Sequence, residues 1–102
     1  VTVKVGSNGN DTALRGEPGT NLIFGQNGND TLTGGDAYDL LCGGNGNDIL
    51  SGGGGDDSLG GAAGNDRLTG GSGADYFSGG IGKDAMTDFD ASQGDTTDGT
   101  IP

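Results

Sequence analysis

The chain has 102 residues, 26 of them glycine, with 15 acidic and 4 basic side chains and a formal charge of −11. That length allows one domain at most. The composition excludes several functions. Without histidine there is no Ser-His-Asp triad and no His-ligated zinc. Four basic residues give no footprint for nucleic acid or an anionic membrane. No apolar run approaches the length that spans a bilayer, and a single cysteine forms no internal disulfide.

Val1-Thr2-Val3-Lys4-Val5 alternates apolar and polar residues and predicts a β-strand over 1–5, whose Val1, Val3, Val5 face needs covering. From Gly6 the chain divides into nine nonapeptides, with Arg15 left over as one inserted residue. The first position is glycine throughout: Gly6, Gly16, Gly25, Gly34, Gly43, Gly52, Gly61, Gly70 and Gly79. The sixth is Asp in eight units and Asn21 in the other. The eighth is always apolar: Ala13, Ile23, Leu32, Leu41, Leu50, Leu59, Leu68, Phe77 and Met86. Residues 88–102 lose the period and keep Phe89 and Ile101 as apolar anchors.

A helix is ruled out, because glycine costs about 1 kcal/mol per interior position. Glycine instead permits tight turns and close backbone approach. Each unit ends in x-apolar-x, as in Thr31-Leu32-Thr33 and Tyr76-Phe77-Ser78. Three extended residues send the middle side chain to one face and its neighbours to the other. Each nonapeptide therefore reads as a six-residue turn and a very short strand. Two make one lap of a flat coil, and residues 18 apart stack. The interior receives roughly one large apolar side chain per nine residues, each contributing about 1.5–3 kcal/mol. Ordering each residue costs about 1–2 kcal/mol of backbone entropy. Apolar burial alone should not fold this chain, and its charge adds self-repulsion.

Gly43-Gly44-Asn45-Gly46-Asn47-Asp48-Ile49-Leu50-Ser51 matches G-G-x-G-x-D-x-U-x throughout, U being a large apolar residue. On this motif, residues 6–87 resemble the RTX calcium-binding repeats. Gly16-Glu17-Pro18-Gly19-Thr20-Asn21 departs from the pattern, as does Ala37, which replaces the motif glycine at position four of the fourth unit. The resemblance implies an all-β, right-handed parallel β-roll (a β-solenoid) with calcium between stacked turns. It also implies a ligand set for each gap. One turn gives the carbonyls of positions two and four plus its Asp, and the turn a lap later gives those of positions one and three plus its own. In the first column this pairs Ser7, Gly9 and Asp11 with Gly25, Asn27 and Asp30, then Gln26, Gly28 and Asp30 with Gly43, Asn45 and Asp48. Gly44, Gly46 and Asp48 follow with Gly61, Ala63 and Asp66, and Ala62, Gly64 and Asp66 with Gly79, Ile81 and Asp84. In the second column Asn21 meets Gly34, Asp36 and Asp39, in a weaker gap that lacks one charge. Gly35, Ala37 and Asp39 meet Gly52, Gly54 and Asp57, and Gly53, Gly55 and Asp57 meet Gly70, Ser72 and Asp75. Four gaps and three give about seven ions, or roughly +14 against the formal charge, which predicts calcium-driven folding.

The segment over 88–102 resembles the T-D-F-D-like caps of RTX rolls, or ties one subunit to another. Cys42, at position nine, faces outward and suits either a bond to a second chain or a partly covered thiol. Asp56-Asp57 resembles a catalytic acid pair, but the period already accounts for Asp57, and no enzyme is expected. Open roll ends template end-to-end pairing. The leading expectation is a secreted, calcium-loaded structural protein that self-associates into a filament, matrix or surface array. The alternative is the C-terminal secretion and folding module of a larger toxin, protease, lipase or epimerase. A start at Val1 fits either a processed chain or a fragment.

Overall fold

The structure is a computed structural model that describes every residue except Ala13 and Pro102. The chain alternates between two parallel sheets. The first holds β1 (Thr2–Val5), β3 (Asn21–Phe24), β5 (Asp39–Asn45), β7 (Ser58–Ala63), β9 (Tyr76–Ser78) and β11 (Thr96–Thr97), in that spatial order. The second runs β2 (Leu14–Arg15), β4 (Thr31–Thr33), β6 (Ile49–Ser51), β8 (Arg67–Thr69) and β10 (Ala85–Met86). Among the described residues a single 3₁₀ turn, Ala91–Gln93, interrupts the β structure. The fold is a β-roll with two nonapeptides per lap.

The register follows from the repeat. Leu41 pairs with Leu59 and Leu50 with Leu68, each 18 residues on, because identical turns stack only at that period. The body measures 37 × 32 × 15 Å. Its thin dimension fits two sheets about 10 Å apart with one layer of side chains between them. That layer holds Ile23, Leu41, Leu59 and Phe77 from the first sheet and Leu32, Leu50 and Leu68 from the second, all buried. Leu14 and Met86 pack against the layer from its ends.

Two expectations change. The inserted residue is not Arg15, which pairs with Thr33 as an ordinary ninth position. Leu14 stands opposite Leu32 at the core register. Asp11 meets Asp30 at a spacing of nineteen and Leu14 meets Leu32 at eighteen, so the extra residue lies between Asp11 and Leu14. Leucine buries more apolar area than alanine, and the register follows it. Ala13, expected at the eighth position, lies outside the described residues. The strands also outrun three residues: β5 and β7 continue through the next unit's glycines, pairing Gly44 with Ala62 and Asn45 with Ala63.

The ends differ. In β1, Lys4 takes the inward register opposite Ile23, and its Nζ bonds Glu17 Oε2 at 2.8 Å. Val1, Val3 and Val5 stay 92%, 58% and 54% exposed. Val3 and Val5 continue the outer face of the first sheet beside Leu22 and Phe24. At the other end Ile101 is buried in the core, and the Phe89 ring lies 6.0 Å from that of Phe77, tilted 59°. The Asp88 carboxylate accepts from the Gly70 and Gly71 N–H groups at 2.8 and 2.7 Å, and Thr100 Oγ1 accepts from those of Gly79 and Gly80 at 2.9 and 3.1 Å. Side chains thereby satisfy donors that a further lap would otherwise bond.

Candidate metal centre

The sixth residue of each unit closes a glycine turn just before its strand, and the backbone there points the side chain between laps. Two carboxylate files result. In the first, the N–H of Asp11 donates to Asp30 Oδ1, Asp30 to Asp48, Asp48 to Asp66, and Asp66 to Asp84, at 2.7–2.8 Å. In the second, Asn21 donates to Asp39, Asp39 to Asp57, and Asp57 to Asp75, at 2.9–3.0 Å. After Asp11, one oxygen of each carboxylate is thus spent on the backbone of the lap before it.

The other oxygen is the telling one. Oδ2 of Asp30, Asp48, Asp57, Asp66, Asp75 and Asp84 is buried and has no hydrogen-bond partner. A buried polar atom without a partner costs about 1–3 kcal/mol, more when charged. Six in one small roll call for a cation. The glycines preserve the space beside them: a Cβ on Gly25 would meet Asp30 Oδ2 at 2.6 Å and the Gly43 carbonyl at 2.8 Å. Gly46, at φ +111°, abuts the Gly28 carbonyl, and Gly44 abuts that of Gln26. For the gap between Asp30 and Asp48, the carbonyls of Gln26, Gly28 and Gly43 therefore face an adjacent lap. The second turn position keeps its left-handed backbone without glycine, with φ 73° at Gln26 and 70° at Ala62.

Among the described residues, no three or more His, Cys, Asp or Glu side chains converge. Each gap except the one at Asn21 is bounded by two carboxylates, and the remaining donors must be backbone oxygens. An all-oxygen set of carboxylates and carbonyls suits a hard cation of high coordination number, and calcium takes it more readily than magnesium, which holds its waters.

Burial, aided by neighbouring carboxylates and opposed by the backbone N–H bonds, raises Asp30 and pushes Asp48 up to about 6, Asp66 to about 7 and Asp57 to about 8. Burial also pushes Asp75 up to about 6, with the charges of Asp95, Asp88 and Asp56 adding to the effect. These carboxyls hold protons more tightly in the metal-free roll than in the unfolded chain. The metal-free roll is therefore favoured below the usual carboxylate value of 3.8 and loses that advantage as pH rises through about 8. Metal affinity runs the other way, since ligation requires the deprotonated form. The calcium midpoint measured by circular dichroism should shift to higher calcium between about pH 8 and pH 5.5. A midpoint independent of pH would contradict this.

The sequence reading missed three features. Asn10, Asn29, Asn47 and Asn65 form a ladder in which each side-chain oxygen accepts the N–H of the fifth residue one lap on, ending at Lys83, at 2.7–2.8 Å. Their spacing was visible in the sequence. Asp95 extends the second file, accepting from the Asp75 N–H at 2.7 Å, although it lies twenty residues on. Asp11 and Asp39 differ from the other acids because Oδ2 of each accepts from its own turn, from the N–H of Ser7 and of Gly35.

Matches to the RTX calcium-binding nonapeptide repeat cover residues 5–41, 15–50, 39–68 and 51–86. The chain belongs to this RTX family. No curated protein and no solved structure matches it significantly. RTX repeats bind calcium. No helix among the described residues is long and apolar enough to cross a membrane.

Proposed function

We propose that this RTX module is a non-catalytic extracellular structural element that becomes compact on calcium and self-associates. The six buried carboxylate oxygens without partners carry the reading. The aspartates of the two files would act as bridging ligands between laps, with the second and fourth carbonyls of one turn and the first and third of the next, as the family pattern assigns them. The nonapeptides alone give seven gaps, including the one at Asn21, which differs from the rest. Bound calcium supplies the positive charge and the six to eight oxygen contacts that this acidic, glycine-rich backbone otherwise lacks. Millimolar calcium outside cells suits such sites, as extracellular calcium modules typically bind at 10⁻⁴–10⁻³ M.

Association is supported at the N-terminal end. There β1 is an edge strand, and Val3, Val5, Leu22, Phe24 and Leu40 share one outer face with Cys42. Exposed apolar strand edges pair with other chains. Cys42 is half-buried, and burial pushes its thiol up, which lowers its reactivity and favours noncovalent contact over a disulfide. A second reading has its own support. Asp88 and Thr100 satisfy edge donors and Ile101 covers the core at the other end, as in a module that closes its C-terminal side. This suits the folding and secretion module of a larger protein.

Sedimentation velocity with and without calcium separates them. Calcium-dependent oligomers weakened by Val3→Ser and Val5→Ser favour assembly through β1. Compact monomers at high protein and calcium concentration favour the module.

A further inference from the structure

One gap is built unlike the others. Asn21 holds the sixth position of the second repeat and is fully buried. Its Nδ2 donates to Glu17 O at 2.8 Å, Gly19 O at 3.1 Å and Asp39 Oδ1 at 2.7 Å. Glu17 and Gly19 occupy the second and fourth turn positions, and Asp39 is the acid one lap on. These are three of the oxygens that the proposed coordination assigns to a cation between the laps. The fit extends around the group. Asn21 Oδ1 accepts from the Glu17 N–H at 2.9 Å, and Asp39 Oδ2 accepts from the Gly35 N–H at 2.7 Å. Asp39 Oδ1 also accepts the Asn21 backbone N–H at 3.0 Å.

We propose that the Asn21 side-chain amide occupies the cation position of this gap, so that the lap from Asn21 to Asp39 is joined without metal. A primary amide carries two N–H donors and partial positive charge. It can bridge carbonyls and one carboxylate, and it needs no second acid to balance a divalent charge. A cation entering here would have to break all three Nδ2 contacts and would meet one carboxylate instead of two. The consequence is six calcium gaps where the repeat count alone gives seven, and one metal-independent junction near the N-terminal end. This rests on the calcium reading of the other gaps.

The test is a calcium count at saturation by native mass spectrometry on wild type and Asn21→Asp. The expected result is one more ion on Asn21→Asp than on wild type. Equal counts, with wild type loaded, would overturn the proposal. Calcium absent from both chains would overturn the calcium reading and this proposal with it. If Asn21→Asp does not fold, the wild type still decides. In ¹⁵N-labelled protein saturated with calcium, the Asn21 side-chain amide protons should be protected from exchange, and rapid exchange there would refute the assignment.

Discussion

Replacing Asp48 by alanine should remove two calcium ions, not one. Asp48 is the shared wall of two gaps, toward Asp30 on one side and Asp66 on the other. Its Oδ1 accepts from the Asp30 N–H at 2.8 Å, its own N–H donates to Asp66 Oδ1 at 2.8 Å, and its Oδ2 is buried without a partner. Alanine takes an anionic ligand from both neighbouring sites and leaves the buried Asp30 N–H unpaired, which alone costs about 1–3 kcal/mol. If, as proposed, the sites of one file couple to folding, the loss should also raise the calcium midpoint and flatten the transition. Isothermal titration calorimetry reads both quantities. A stoichiometry equal to wild type would remove Asp48 from the ligand set. Asp11→Ala is the internal comparison: Asp11 borders a single gap, its Oδ2 is held by the Ser7 N–H, and its effect should be smaller.

Leu50→Ala should destabilise the calcium-loaded roll by about 2–5 kcal/mol. Leu50 is fully buried and pairs with Leu32 and Leu68 in the middle of the second sheet. The interior is one layer deep, and the laps on both sides are fixed by their registers. Little can move in to refill the cavity, which puts the expected cost toward the upper part of that range. Denaturant unfolding at saturating calcium measures it as a fall in midpoint at unchanged slope. A change below about 1 kcal/mol would mean that the apolar layer contributes little beyond the metal sites.

Stacking explains why so much of this molecule was legible in its sequence. Each lap bonds only its neighbours, so glycine, aspartate and leucine must recur at one spacing or the register fails. Asp30, Asp48, Asp66 and Asp84 and the file from Ile23 to Phe77 follow directly. The reading erred where local fit and packing diverged. Ala13 satisfies an apolar position on paper, but Leu14 has the volume that the core layer needs. Asp95 escaped notice because the 3₁₀ turn at Ala91–Gln93 adds residues to its lap and breaks the count. The strand over Val1 to Val5 was expected to need a cover on its valine face, but sequence alternation cannot say which face is inward. Lys4 takes the inward register opposite Ile23, and its Nζ reaches Glu17. At Asn21 the loss of a charge was visible, but not the three acceptors that gather around the amide.

Cations between successive laps are proposed to make this acidic chain compact. Far-ultraviolet circular dichroism during a calcium titration of chelator-stripped protein, reversed with EGTA, tests it most directly. The expected result is a largely disordered spectrum without calcium, a cooperative and reversible rise of β signal on addition, and no equivalent response to magnesium at the same concentration. A full β spectrum in excess EGTA, unchanged by calcium, would contradict it.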